Sequence, residues 1–91
     1  MGIDINSFGR KYDLAFEMFQ AGDRRIRLAV ANGEPAFEDS REYTFITGNP
    51  LLCPLDSGEW ALVTSKSTTQ FKADGGADAV DRAKRILVDN E

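Results

Sequence analysis

The sequence predicts an α+β domain: a single antiparallel sheet of three to four strands, with an N-terminal and a C-terminal helix packed on one face. Three observations predict it. Residues 7–21 carry apolar side chains at helical spacing, residues 24–31 alternate strictly between apolar and polar or small, and residues 78–88 return to the helical period. With 91 residues, 42% of them hydrophobic and 29% charged, the chain has the length and composition of one globular domain, 1–91.

Taken in order, Ser7 is placed to cap the first helix and Gly22 to close it. At 100° per residue Phe8, Tyr12, Ala15, Phe16 and Phe19 share one arc, the stripe that faces a core. Leu14 and Met18 form a second apolar strip beside it, a candidate face for a dimer or partner. From Arg24 to Ala31, Ile26, Leu28 and Val30 take one side of a strand and Arg25 and Arg27 the other. Asn32-Gly33 then signals a type I′ hairpin, with Pro35 restricting any return strand to an edge. Glu42–Thr47 alternates as a second strand. Residues 48–58, with Pro50, Pro54, Gly48 and Gly58, read as a long loop with an apolar centre. Glu59–Ser65 and Thr68–Ala73 form a final hairpin. Asp78 caps the last helix, whose core face holds Ala79, Val80, Ala83, Ile86 and Leu87.

Several chemistries are missing. There is no histidine and one cysteine, so Ser-His and Cys-His nucleophile pairs and zinc sites cannot be assembled within the chain. No phosphate-binding loop or dinucleotide fingerprint is present. The sequence therefore predicts no catalytic, cofactor-binding or metal site, and a protein that is not an enzyme. A lone Cys53 fits an intracellular, reducing, cytoplasmic setting, and neither an export signal nor a membrane span is legible.

The charge is uneven. The net charge is −4, yet residues 34–60 alone hold Glu34, Glu38, Asp39, Glu42, Asp56 and Glu59 against Arg41, a net of −5 from six acids and one base. That segment also contains the apolar run Leu51, Leu52 and Leu55. Together these residues are the candidate partner-binding surface: carboxylates to attract a basic surface and leucines to anchor it. Arg24, Arg25 and Arg27 are the candidate phosphate contacts.

In size and charge the chain resembles immunity proteins, antitoxins and phage-encoded inhibitors, anti-CRISPR proteins among them. The resemblance implies a protein-binding module that masks the basic, nucleic-acid-binding surface of a partner. The helix–strands–helix order also resembles the double-stranded-RNA-binding domain, whose second helix opens on a basic cluster. Here that position reads Gly76-Ala77-Asp78-Ala79-Val80-Asp81, acidic where that family is basic. A nucleic-acid role would fall instead to the Arg24, Arg25 and Arg27 face, against the overall charge.

Overall fold

Asp4, and not Ser7, begins the first helix. The structure, a computed structural model, describes residues 2–89. In it the Asp4 carboxylate accepts the Asn6 backbone N–H and the Ser7 hydroxyl, each at 3.0 Å, and caps α1, Ile5–Lys11. The helix does not continue to residue 21. Asp13 takes a positive φ of 48°, a conformation aspartate tolerates better than most residues, and the chain leaves the helix there. Residues Ala15–Ala21 form strand β1, paired antiparallel with β2, Arg24–Val30. Gly22 is thus not a helix cap. It supplies positive φ (60°) at the first position of the two-residue Gly22-Asp23 hairpin loop.

After β2 the expected Asn32-Gly33 hairpin is absent, since Gly33 alone of the pair has positive φ. The Asn32 N–H instead donates to the Tyr12 carbonyl at 2.7 Å, and residues 31–36 carry the chain over the sheet. The segment expected as a strand over Glu42–Thr47 belongs to a helix, α2, Phe37–Thr47. Gly48 ends it in the left-handed conformation (φ 74°), its N–H donating to the Thr44 carbonyl. The expected loop over 48–58 holds strand β3, Leu51–Pro54, followed by a single 3-10 turn at Asp56–Gly58. Strands β4, Glu59–Val63, and β5, Thr68–Lys72, make the expected final hairpin, and α3 spans Gly76–Asp89.

The α+β class holds, but the sheet has five strands in the order β1-β2-β3-β4-β5, and it is mixed. β2 and β3 run parallel, pairing Ala29 with Leu51 and Val30 with Leu52, while every other pair is antiparallel. Parallel neighbours need a crossover, and α2 is that crossover.

The helices do not share a face. On one side of the sheet Phe8 and Tyr43 stack at 5.1 Å over Ala29, Leu51, Cys53, Ala61 and Val63, so α1 and α2 cover this face. On the other, Ala79 and Ala83 of α3 sit on Leu28, Leu52 and Leu62, with Val80, Ile86 and Leu87 packed around them as the sequence pattern requires. Each face now has its own core. The backbone of β3 lies between them, its side chains alternating from one to the other.

Leu52 has no solvent exposure and sits in the α3-side core. Leu52→Ala is expected to cost about 2–5 kcal/mol, the range for an aliphatic side chain removed from a rigid interior. Urea denaturation of the two proteins measures it; a loss under about 1 kcal/mol would mean that this core repacks freely.

Candidate functional site

The structure separates the acidic segment into parts with different work. Glu34, Asp56 and Glu59 lie at the end of the sheet where β2 and β3 finish, Glu34 and Asp56 exposed and Glu59 half-buried. Glu38 and Asp39 occupy the first turn of α2. There Ala36 offers no side-chain cap, and the carboxylates oppose the positive end of the helix dipole. Glu42 is half-buried, and its Oε2 accepts the Ile3 backbone N–H, fastening the N-terminal segment to α2.

Two of the three leucines expected as anchors are closed to solvent. Leu51 and Leu52 have no solvent exposure, one in each core, because the segment holding them is the central strand and not a loop. Leu55 is half-buried at the edge of a groove of about 150 Å³, shared with Glu34, Phe37, Cys53, Thr68 and Gln70.

The exposed apolar surface lies instead on α2, which is amphipathic in reverse. Its buried face consists of Ser40, Tyr43 and Thr44, with Thr47 half-buried beside them. These hydroxyls can face a core because the helix backbone satisfies them: Ser40 Oγ donates to the Ala36 carbonyl at 3.1 Å, Thr44 Oγ1 to Arg41 at 2.8 Å, and Thr47 Oγ1 to Tyr43 at 2.8 Å. The outward face carries Phe45, 80% exposed, together with Phe37 and Ile46, each more than half exposed. Helical spacing sets Glu38, Arg41 and Glu42 around Phe45, and the Arg41 guanidinium lies 5.7 Å from the Phe37 ring. An exposed aromatic ring beside Glu38, with Arg41 and the half-buried Glu42 around it, is a surface that can bury an apolar group and meet charge at its rim.

A second exposed surface lies on the β1–β2 hairpin, on the face shared with α1 and α2. Register places Phe16, Met18 and Gln20 of β1 beside Ala29, Arg27 and Arg25 of β2. Arg27 stacks on Phe16 at 4.1 Å, and Phe16 and Met18 are 41% and 51% exposed. Met18 and Leu14 are therefore not one helical strip: Leu14 is half-buried against the first core, and Met18 is on a strand. Arg25 and Arg27 point the same way, as their alternation requires. Arg24 lines a cleft of about 370 Å³ at the opposite end of the sheet from Glu34, with Asn49, Lys66, Ser67, Leu62 and Leu87.

Cys53 is 3% exposed, and its thiol faces the Ala61 carbonyl at 3.8 Å. Burial, and then the charge of Glu34, push the thiol up from its ordinary 9.0 to about 11, so it is a poor nucleophile at neutral pH. At the start of α3, Asp78 accepts the Asp74 N–H at 2.9 Å and Arg82 Nε at 2.9 Å, and these bonds hold its carboxyl below the usual range. The Gly75-Gly76 turn is tied off by that carboxylate, which repels an anion. Among the described residues no group of three or more histidine, cysteine or acidic side chains is arranged to hold a metal ion, and no helix is long and apolar enough to cross a membrane.

No protein-family model, curated protein or solved structure matches this chain.

Because the fold disfavours the Cys53 thiolate, the stability held by the neutral thiol is fully present below pH 9.0 and is lost as the pH rises to about 11. Denaturation midpoints across that window are expected to fall more steeply for the native chain than for Cys53→Ala. Parallel curves would show that the thiol ionises in place without penalty.

Proposed function

We propose that this chain is a protein-binding module that presents the outward face of α2 to the basic surface of a partner. The reverse amphipathicity of α2 carries this reading. Phe45 stands 80% exposed on a helix whose Ser and Thr residues are turned to the core. Phenylalanine is enriched at the buried core of protein interfaces, and the few side chains that dominate binding energy are those a partner covers completely. Glu38, Asp39 and the more distant Glu34 and Asp56 add a negative field that would speed encounter with a basic partner and set its orientation.

The same acids support a narrower version: an inhibitor that covers a nucleic-acid-binding surface of its target. A basic groove built for phosphates would meet the carboxylates, and its apolar floor would take Phe45. Leu51 and Leu52 are closed to solvent, and in this reading Phe37, Phe45 and Ile46, which solvent reaches, are the anchors.

The test is capture from lysate by the native chain and by Phe45→Ser, Ile46→Ser and Glu38→Lys, with bound proteins identified by mass spectrometry. One partner is expected, with a basic surface, retained at low salt and lost from each variant. Folding stability should stay within about 0.5 kcal/mol of native for Phe45→Ser, whose ring is exposed, whereas Glu38→Lys should cost about 1 kcal/mol because it reverses a charge at the uncapped start of α2. Equal capture by native and variant proteins would sink the reading. So would loss of binding only in Arg25→Glu with Arg27→Glu, together with a salt-dependent shift of DNA or RNA, which would place the interface on the hairpin arginines.

A further inference from the structure

The geometry points to a second interface, independent of α2: the outer edge of β1 pairs with β1 of a second copy of this chain, joining two five-stranded sheets into one of ten. Among the described residues β1 has a neighbour on one side only. The hydrogen-bond pattern shows which of its backbone groups are left over. The Ala29 N–H donates to the Pro50 carbonyl at 2.9 Å and the Ala31 N–H to the Leu52 carbonyl at 2.8 Å, so these residues of β2 point toward β3. Leu28 and Val30 therefore point toward β1, where they pair with Glu17 and Ala15. Alternation turns the N–H and C=O groups of Phe16, Met18 and Gln20 outward.

These are the same residues whose side chains lie on the open face of the hairpin, with Phe16 and Met18 41% and 51% exposed. Unpaired backbone and uncovered apolar side chains thus coincide along one edge. Natural proteins guard such edges with proline, lysine, a bulge or a short strand. β1 runs for seven residues, AFEMFQA, with no proline, lysine or bulge, and its one charge, Glu17, is paired with Lys84. The opposite edge, β5, is shorter and polar, TTQFK, and ends on Lys72.

The occupant is a second copy because β1 is complementary to itself. A two-fold axis perpendicular to the sheet and midway between the two Met18 residues sets the two strands antiparallel. It matches Met18 with Met18 and Phe16 with Gln20 of the partner copy, so that every outward N–H faces an outward C=O. Charge permits this even in a chain of net −4. The one acidic side chain on the strand, Glu17, is on the α3 face, where Lys84 Nζ meets it at 3.4 Å. On the open face, Arg27 is stacked on Phe16, and Arg25 lies beside Gln20. The axis also leaves both α2 helices on the same side of the joined sheet, so a dimer would offer two copies of the proposed partner surface in one direction.

Sedimentation equilibrium of the full chain over a wide concentration range tests this, with Met18→Pro and Met18→Lys as variants. Proline at Met18 removes an N–H that points away from β2, the one strand neighbour of β1 among the described residues, a position where an edge strand tolerates it. Lysine at Met18 sets like charges against each other across the axis. The native chain is expected to approach twice its monomer mass with rising concentration. Both variants should remain at the monomer mass with native circular dichroism, and Phe45→Ser should still double, which separates this interface from the α2 surface. In the native protein, amide exchange of Phe16, Met18 and Gln20 should slow as concentration rises. A native chain that stays at monomer mass throughout overturns the proposal. So does a dimer that survives in either folded variant.

Discussion

The backbone of β3 runs through the middle of the molecule with Leu51, Leu52 and Cys53 closed to solvent, and most of the architecture can be traced to that placement. A strand buried on both faces must be covered from both sides, so helices lie above and below it. It runs parallel to β2, so the chain must return across the sheet between them, and α2 makes that return. Because β3 spans only Leu51–Pro54, the cores it joins are small. They close with alanines, Ala29 and Ala61 on one side and Ala79 and Ala83 on the other. The helix that makes the crossover is consequently held at both ends before any of its own side chains contribute.

That tethering explains how α2 can carry so unusual a sequence. A helix that relied on its own apolar stripe to find the sheet would need large hydrophobic residues inward. α2 needs only Tyr43, stacked on Phe8, and small side chains that let its backbone come close to the sheet. The outward positions are then released from any duty to the fold, and Phe37, Phe45 and Ile46 stand there exposed. Glu38 and Asp39 serve twice, offsetting the dipole of a helix without a side-chain cap and giving its surface a negative sign.

How much of this was legible in the sequence depended on whether polarity and burial agreed. They agree in β2, β4, β5 and α3, and there the periodicity located each element. They disagree in α2. Its helical period is carried by Ser40, Thr44 and Thr47, and a search for apolar periodicity instead finds the alternation of Tyr43, Phe45 and Thr47. In the first segment Phe8, Tyr12, Phe16 and Phe19 satisfy a helical stripe, but the left-handed Asp13 divides it, and no local preference at aspartate is strong enough to announce that break. Pro50 and Pro54 hid β3, although Pro50 precedes the strand and Pro54 ends it, where a missing N–H is least costly. The acidic residues are visible in composition, whereas the burial of Leu51 and Leu52 and the exposure of Phe37 and Phe45 are defined only by the tertiary structure.

The anchoring of α2 between two strands has a kinetic meaning. A recognition helix in a disordered segment must order as it binds, and much of the interaction free energy is spent on that ordering. Here the helix is formed, oriented and fastened through Glu42 to the N-terminal segment before any encounter. A partner meeting this surface faces an orientational search alone, so association would be governed by charge and collision geometry. The lifetime of the complex would then rest on how deeply a single ring, Phe45, is buried.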